Sequence, residues 1–162
     1  MKNTPEQCTW GLLRITMGWT LLWPFMDKLS GLNFATPPEK AWLLGSSPTL
    51  GFLKSSTGPF AEIYQSIAGN PIIDWLFMMG LLFIGICFVL GIGMKIASYG
   101  GALMMLLMWS SHLPLKQNPL IDEHIIYALV FLGLNFAHAG QYLGLGKWWS
   151  KTALVKRYRA LE

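Results

Sequence analysis

The sequence predicts an all-α integral membrane protein: a four-helix bundle with a long extracytoplasmic loop between helices one and two, the loop carrying short amphipathic helices. Three observations carry that prediction. Apolar residues make up 53% of the 162-residue chain and charged residues only 12%, against roughly 25% charge in a soluble domain. Four stretches, 10–30, 74–94, 96–115 and 123–145, match the roughly 20 helical residues needed to cross a hydrocarbon layer. The basic residues are unevenly shared between the segments that join them. The whole chain, 1–162, reads as one membrane domain, divided among these spans, an outer loop over 31–73 and a basic tail over 147–162.

The first span, WGLLRITMGWTLLWPFMDKLSG, carries Arg14 near one end and Asp27-Lys28 near the other. Arg14, Gly18, Leu21, Phe25 and Lys28 fall on one stripe of a helical wheel. A charge inside hydrocarbon is expensive, so Arg14 is expected to face protein, water or headgroups. Snorkelling to the cytoplasmic surface is the simpler alternative. Pro24 lies one turn before Asp27-Lys28, where a kink re-aims that end of the helix.

The loop over 31–73 exceeds an ordinary connection. Pro38 marks a helix start. Phe60, Ile63, Tyr64 and Ile67 recur at i, i+3, i+4 and i+7, the pattern of a short amphipathic helix. Such a helix either lies on the membrane surface or covers an outward-facing pocket.

Spans two and three are joined by the short GIGMK turn around Gly91–Lys95 and are expected to be antiparallel neighbours. Both are rich in small residues, among them Gly80, Gly85, Gly100 and Gly101, which let backbones approach closely in lipid. Met104, Met105 and Met108 read as adaptable core filler. In the fourth span His124, Tyr127, Phe131, Asn135, His138 and Tyr142 share one stripe, expected to point into the bundle because lipid offers polar groups no partner.

Five of the twelve Lys/Arg residues, Lys147, Lys151, Lys156, Arg157 and Arg159, follow Gly146, opposed only by Glu162. With that tail inside, Lys2 and Lys95 are also cytoplasmic, while Lys28, Lys40, Lys54 and Lys116 face outward among most of the acids. Both termini are then cytoplasmic. The net charge of +4 gives no nucleic-acid footprint and no nucleic-acid partner is expected; the tail instead suits anionic lipid headgroups. The N-terminus lacks a cleavable signal pattern. Cys8 and Cys87 form neither a CxxC pair nor a zinc pattern, and no metal site or structural disulfide is expected.

Depth sorts the polar residues into two candidate clusters. The outer one gathers Asp27, Lys28, Asp74, His112, Asp122, Glu123 and His124 beneath the loop; the inner one gathers Arg14, Asn135 and His138. Opposite charges at a bundle mouth hold each other ionised, and histidine is the side chain suited to passing protons near neutrality. The outer cluster is the better ligand site, having the loop to cover it. The alternative reading is structural: charges at span ends mark the water boundary, and Asp74 and Asp122 suit helix N-caps. No nucleotide-binding loop, metal-ligand spacing or hydrolytic nucleophile motif occurs, so no residue is assigned a catalytic role and no cofactor is read from the residues themselves.

The runs RITMGWTLLWPFMDKLSGLNFATPPEKAW, GPFAEIYQSIAGNPIIDWLFMMGLL, LGIGMK and DEHIIYALVFLGLNFAHAGQYLGLGKWW resemble the DoxX/DoxD family of small four-helix membrane proteins over nearly the whole chain. The resemblance implies a multi-pass protein of a prokaryotic plasma membrane. It also implies a membrane subunit of a quinone-linked redox system, with thiosulfate- or thiol-derived electrons passing to membrane quinone. A redox partner, DoxA-like in the thiosulfate enzyme, is expected to supply the electrons. Two other functions stay open. One is a non-catalytic anchor or assembly subunit, suited by the small-residue faces that pack against another subunit or a second copy. The other is a small-molecule or lipid transporter, disfavoured because no discontinuous-helix repeat occurs.

Overall fold

Local signals set where each long helix begins and ends. In a computed structural model describing residues 3–115 and 118–161, helix α1 spans Pro5–Ser30. The Thr4 side chain accepts from the Gln7 amide and the Gln7 side chain returns a bond to Thr4, a capping box. Gly31 closes the helix at φ 67°. Helix α2, Pro71–Leu90, starts on Asn70 as N-cap with proline at its first position. Helix α3 is Met94–Ser110, and helix α4, Glu123–Phe136, starts on Asp122 as N-cap. No strand occurs among the described residues. Lys2, Lys116 and Glu162, used above to orient the chain, lie outside them.

Two spans are shorter as helices than the sequence suggests. Helix α2 is long and apolar enough to cross a membrane. Helix α3 has 17 residues and ends at Ser110 rather than at 115. Helix α4 has 14, equivalent to about 21 Å. The stripe expected over 123–145 therefore continues only as far as Asn135. His138 sits at φ 50°, and the chain turns into a short 3-10 segment, Ala139–Gln141. The carbonyls of Ala139, Tyr142 and Leu143 accept from the Arg14 guanidinium, and that of Ala139 also from the Tyr142 amide, so this stretch is satisfied without α-helical pairing.

The bundle is two closely packed pairs, α1 with α2 and α3 with α4, joined through α2 and α3. A Cβ at Gly18 would lie 2.9 Å from the Gly85 carbonyl oxygen, and one at Gly85 would lie 2.6 Å from Leu22 Cγ. The small residues thus serve close approach of the α1 and α2 backbones. Arg14, Gly18, Leu21 and Phe25 form the buried face of α1. Phe88 and Phe131 meet edge-to-face with centroids 4.8 Å apart and tie α2 to α4.

The loop between α1 and α2 is folded against the bundle. It holds short helical segments at Pro38–Lys40, Trp42–Leu44, Leu50–Lys54, Gly58–Phe60 and Ala61–Ser66. Trp42 meets Trp75 of α2 at 4.7 Å. The Tyr64 hydroxyl donates to the Leu107 carbonyl on α3 at 3.0 Å. The basic end of the chain is folded too: helical turns at Gly146–Trp149, Ala153–Arg157 and Arg159–Leu161 follow, and the Trp149 indole donates to the Leu161 carbonyl at 2.5 Å.

Candidate functional site

A cavity of about 820 Å³ lies under the loop, among all four long helices. Its wall is mostly apolar, with Leu21, Phe52, Ile63, Leu76, Met104 and Met108 prominent. The polar side chains on it are few: Lys28, His124, Tyr127 and a rim of hydroxyls including Thr20, Tyr64 and Ser110. A large apolar pocket with a few convergent polar groups is the usual form of a small-molecule site. The methionines read as filler do pack against the core, and they also form this wall.

Of the seven outer-cluster residues, the structure brings Lys28 and His124 to the cavity. No carboxylate among the described residues lies within ion-pair distance of Lys28. The Asp122 carboxylate is 2.8 Å from His124 Nδ1, which leaves Nε2 as the other nitrogen of the ring. Asp122 also accepts from the amides of His124 and Ile125, the N-cap role foreseen for it. Burial disfavours its charge, but the bonds from the His124 ring and the two amides outweigh that and hold the carboxyl below its ordinary 3.8.

His112 stands one layer back. Its ring lies 6.5 Å from that of His124, near parallel at 14°, and 4.6 Å from Phe52. Its Nδ1 is 2.9 Å from the Ser111 hydroxyl. Glu123 is exposed and off the cavity wall. The donor atoms of Asp122, Glu123 and His124 fall within 4.8 Å of one another because the three residues share one turn.

Asp27 and Asp74 do not reach the ligand space. Asp27, 1% exposed, accepts from the Phe34 amide at 3.2 Å and the Ala35 amide at 3.1 Å. Asp74, in the first turn of α2, accepts from the hydroxyls of Ser47 and Thr49 at 2.8 and 2.5 Å and from the Thr49 amide. Asp27 fastens the start of the loop to α1, and Asp74 fastens its middle to α2 beside the cavity-wall residue Thr49.

The inner cluster separates in the same way. Arg14 is fully buried at 0% exposure and donates to the carbonyls of Phe88, Val89, Ala139, Tyr142 and Leu143. Two of these are last-turn carbonyls of α2, which have no amide partner within the helix. Gly91, at φ 75°, lets the chain turn here; a Cβ on it would lie 3.0 Å from Arg14 Cζ. Asn135 and His138 instead line a smaller cavity that Arg14 does not reach.

Sequence reasoning missed Thr20 and Ser110 as cavity residues, and it left Tyr64 on a face that either lies on the membrane or covers an outward pocket. Tyr64 was legible as part of an amphipathic face, yet only the folded loop shows that this face covers the cavity. Comparison of the chain with family models, curated proteins and solved structures finds no match.

Proposed function

We propose that this protein is a membrane-embedded subunit of a quinone-linked redox system and that the cavity beneath the loop takes the quinone. The observation that carries the reading is the cavity itself: about 820 Å³, apolar on most of its wall, with Lys28, Tyr127 and His124 as hydrogen-bonding groups. Leucine, isoleucine and methionine walls suit a prenyl chain, and the ammonium and phenol are donors for ring carbonyl oxygens. A bound quinone supplies two-electron chemistry coupled to proton uptake.

The residues of the chain would then act as follows. Lys28 and Tyr127 orient the ring by donating to its oxygens. Asp122 holds the His124 ring through Nδ1, so that Nε2 meets the ligand and handles its proton. Asp27 and Asp74 keep the loop closed and exclude water. Electrons come from a partner subunit, and the resemblance to DoxX/DoxD proteins favours a thiosulfate or thiol donor.

Placement in a membrane is part of the same proposal. The outward surfaces of all four long helices are apolar, with Leu12, Phe83, Leu103 and Leu129 each 49% or more exposed. Soluble proteins rarely expose so much contiguous apolar surface. A cytoplasmic location of Lys95 and the basic tail, with the loop outside, follows the positive-inside rule.

One observation favours the rival reading of an anchor without chemistry: Arg14, Asp27 and Asp74 are all spent on holding the fold. Retained quinone distinguishes the two. The protein purified in mild detergent, and reloaded with a short-chain benzoquinone or naphthoquinone, is expected to bind it, and a Lys28→Met, His124→Ala variant to lose it. Absence of binding by the native protein, with its partners present, would leave the anchor reading standing.

A further inference from the structure

A second cavity, of about 390 Å³, opens at the end of the bundle where Arg14 lies. Three separate parts of the chain build it. The start of α3 contributes Lys95 and Tyr99; the end of α4 and the turn after it contribute Asn135, His138 and Gln141; the folded tail contributes Trp149 and Arg159. The last of these arrives only because the turn at Arg159–Leu161 packs back against α3.

The chemistry of the lining is one-sided. Among the described residues its charged members, Lys95 and Arg159, are both basic, and none is Asp or Glu. Neither cation has an ion-pair partner among the described residues. Around them stand neutral donors, the Tyr99 phenol and the Gln141 and Asn135 amides. An ammonium, a guanidinium and several neutral donors lining one open cleft suit a compact anion with several acceptor oxygens.

We propose that this inner cavity binds a phosphate group, carried either by the headgroup of an anionic phospholipid or by a soluble phosphate ester. The site is separate from the outer cavity and does not depend on the redox reading. Lys95 of α3 and Arg159 of the tail turn packed against α3 supply the charge, and Tyr99 and Gln141 donate to the remaining oxygens.

The test uses the full chain in detergent, with native mass spectrometry to read bound phosphatidylglycerol against phosphatidylcholine and with glycerol 3-phosphate as soluble competitor. The native protein is expected to hold phosphatidylglycerol preferentially. A Lys95→Gln, Arg159→Gln variant should weaken that binding by about thirty-fold, as two surface-proximal charges are worth. Both side chains are exposed, and a Lys95→Arg, Arg159→Lys variant, which keeps the charge, should bind within a few-fold of native. Displacement by glycerol 3-phosphate assigns the site to a soluble ester; retention of the lipid in its presence assigns it to the headgroup. A Lys151→Gln, Lys156→Gln variant removes two tail charges outside the cavity and should bind like native. Equal loss in that variant would mean diffuse surface attraction and would overturn the proposal, as would binding unchanged in the Lys95, Arg159 variant.

Discussion

Arg14 Nη1 lies 2.9 Å from the carbonyl oxygen of Val89, so a charge from the first helix caps the end of its neighbour. The same guanidinium reaches Tyr142 and Leu143 at 3.1 and 3.0 Å, which makes one side chain the joint between α1, α2 and the turn after α4. Replacing it with alanine orphans several carbonyls at once. Hydrogen bonds to charged groups are worth roughly 1.5–3 kcal/mol each. Arg14→Ala is therefore expected to lower stability by at least about 3 kcal/mol, seen as a fall in thermal unfolding temperature in detergent. Arg14→Lys, with three donors on a single atom, should recover only part of that loss. Native-like melting of Arg14→Ala would remove the guanidinium from its structural role.

The two loop-fastening carboxylates should show their effect in the loop. Asp27→Ala frees the amides of Phe34 and Ala35, and Asp74→Ala frees Ser47 and Thr49. Hydrogen exchange over 32–49 is expected to rise in both variants, with a stability loss of roughly 1–3 kcal/mol for each orphaned buried group. Asp74→Asn keeps an acceptor oxygen and should be milder. Unchanged exchange over 32–49 would mean that the loop is held elsewhere.

Asp122 gives a pH prediction with a definite sign. Its carboxyl is held below 3.8 in the folded protein, because the bonds from His124 and Ile125 outweigh the burial that opposes its charge. A depressed carboxyl binds its proton more readily when unfolded, so its stabilising contribution is complete above the ordinary value and is lost as pH falls through the lower, folded one. Thermal unfolding followed from neutral pH to below 3.8 should show an acid decline that Asp122→Asn diminishes. An identical acid decline in the variant would sink this assignment.

Within the outer cavity, bulk and polarity are expected to act separately. Met108→Trp fills part of the space without touching the polar groups and should abolish quinone retention while leaving the fold intact. Tyr127→Phe keeps the volume and removes one donor, and should weaken retention by about tenfold, in line with roughly 1–1.5 kcal/mol for a lost hydrogen bond. Retention by both variants at native level would move the ligand elsewhere.

The contact of α1 with α2 is expected to be intolerant of added atoms. A Cβ at Gly18 would meet Val89 N at 2.8 Å and the Gly85 carbonyl at 2.9 Å, both backbone atoms that cannot step aside. Gly18→Val should push the helices apart and cost on the order of 1–3 kcal/mol, the range for overpacking. Gly133→Ala, where a Cβ meets nothing within 4 Å, is the matched control and should be near neutral. Equal melting temperatures for the two variants would contradict the close approach.

Faces and ends were legible in the sequence because both are local. The stripe Arg14, Gly18, Leu21 and Phe25 is the buried side of α1, since a period near 3.6 decides which residues share a side. The acid before α4 is its N-cap, as its position suggests, but Asp74 is not one: Asn70 caps α2, Pro71 opens it, and Asp74 lies inside the first turn. The Thr4 capping box is as local, and it starts α1 five residues before the span drawn from hydropathy.

The destination of each charge was decided only by tertiary structure. In sequence Asp27, Asp74 and Asp122 are alike, acids at the ends of apolar runs. The fold sends two to loop amides and hydroxyls and the third to a histidine on the cavity wall. Arg14 finds partners up to 129 positions away, and the Tyr142 and Leu143 carbonyls are free for it because the chain leaves the helix after Phe136. Composition and periodicity carry no record of such pairings, which depend on the path of the backbone between distant segments. The apolar character and the helix faces came from the sequence alone; the cavity, its cover and which two of the outer polar cluster reach it, Lys28 and His124, came from how the helices and the loop close on one another.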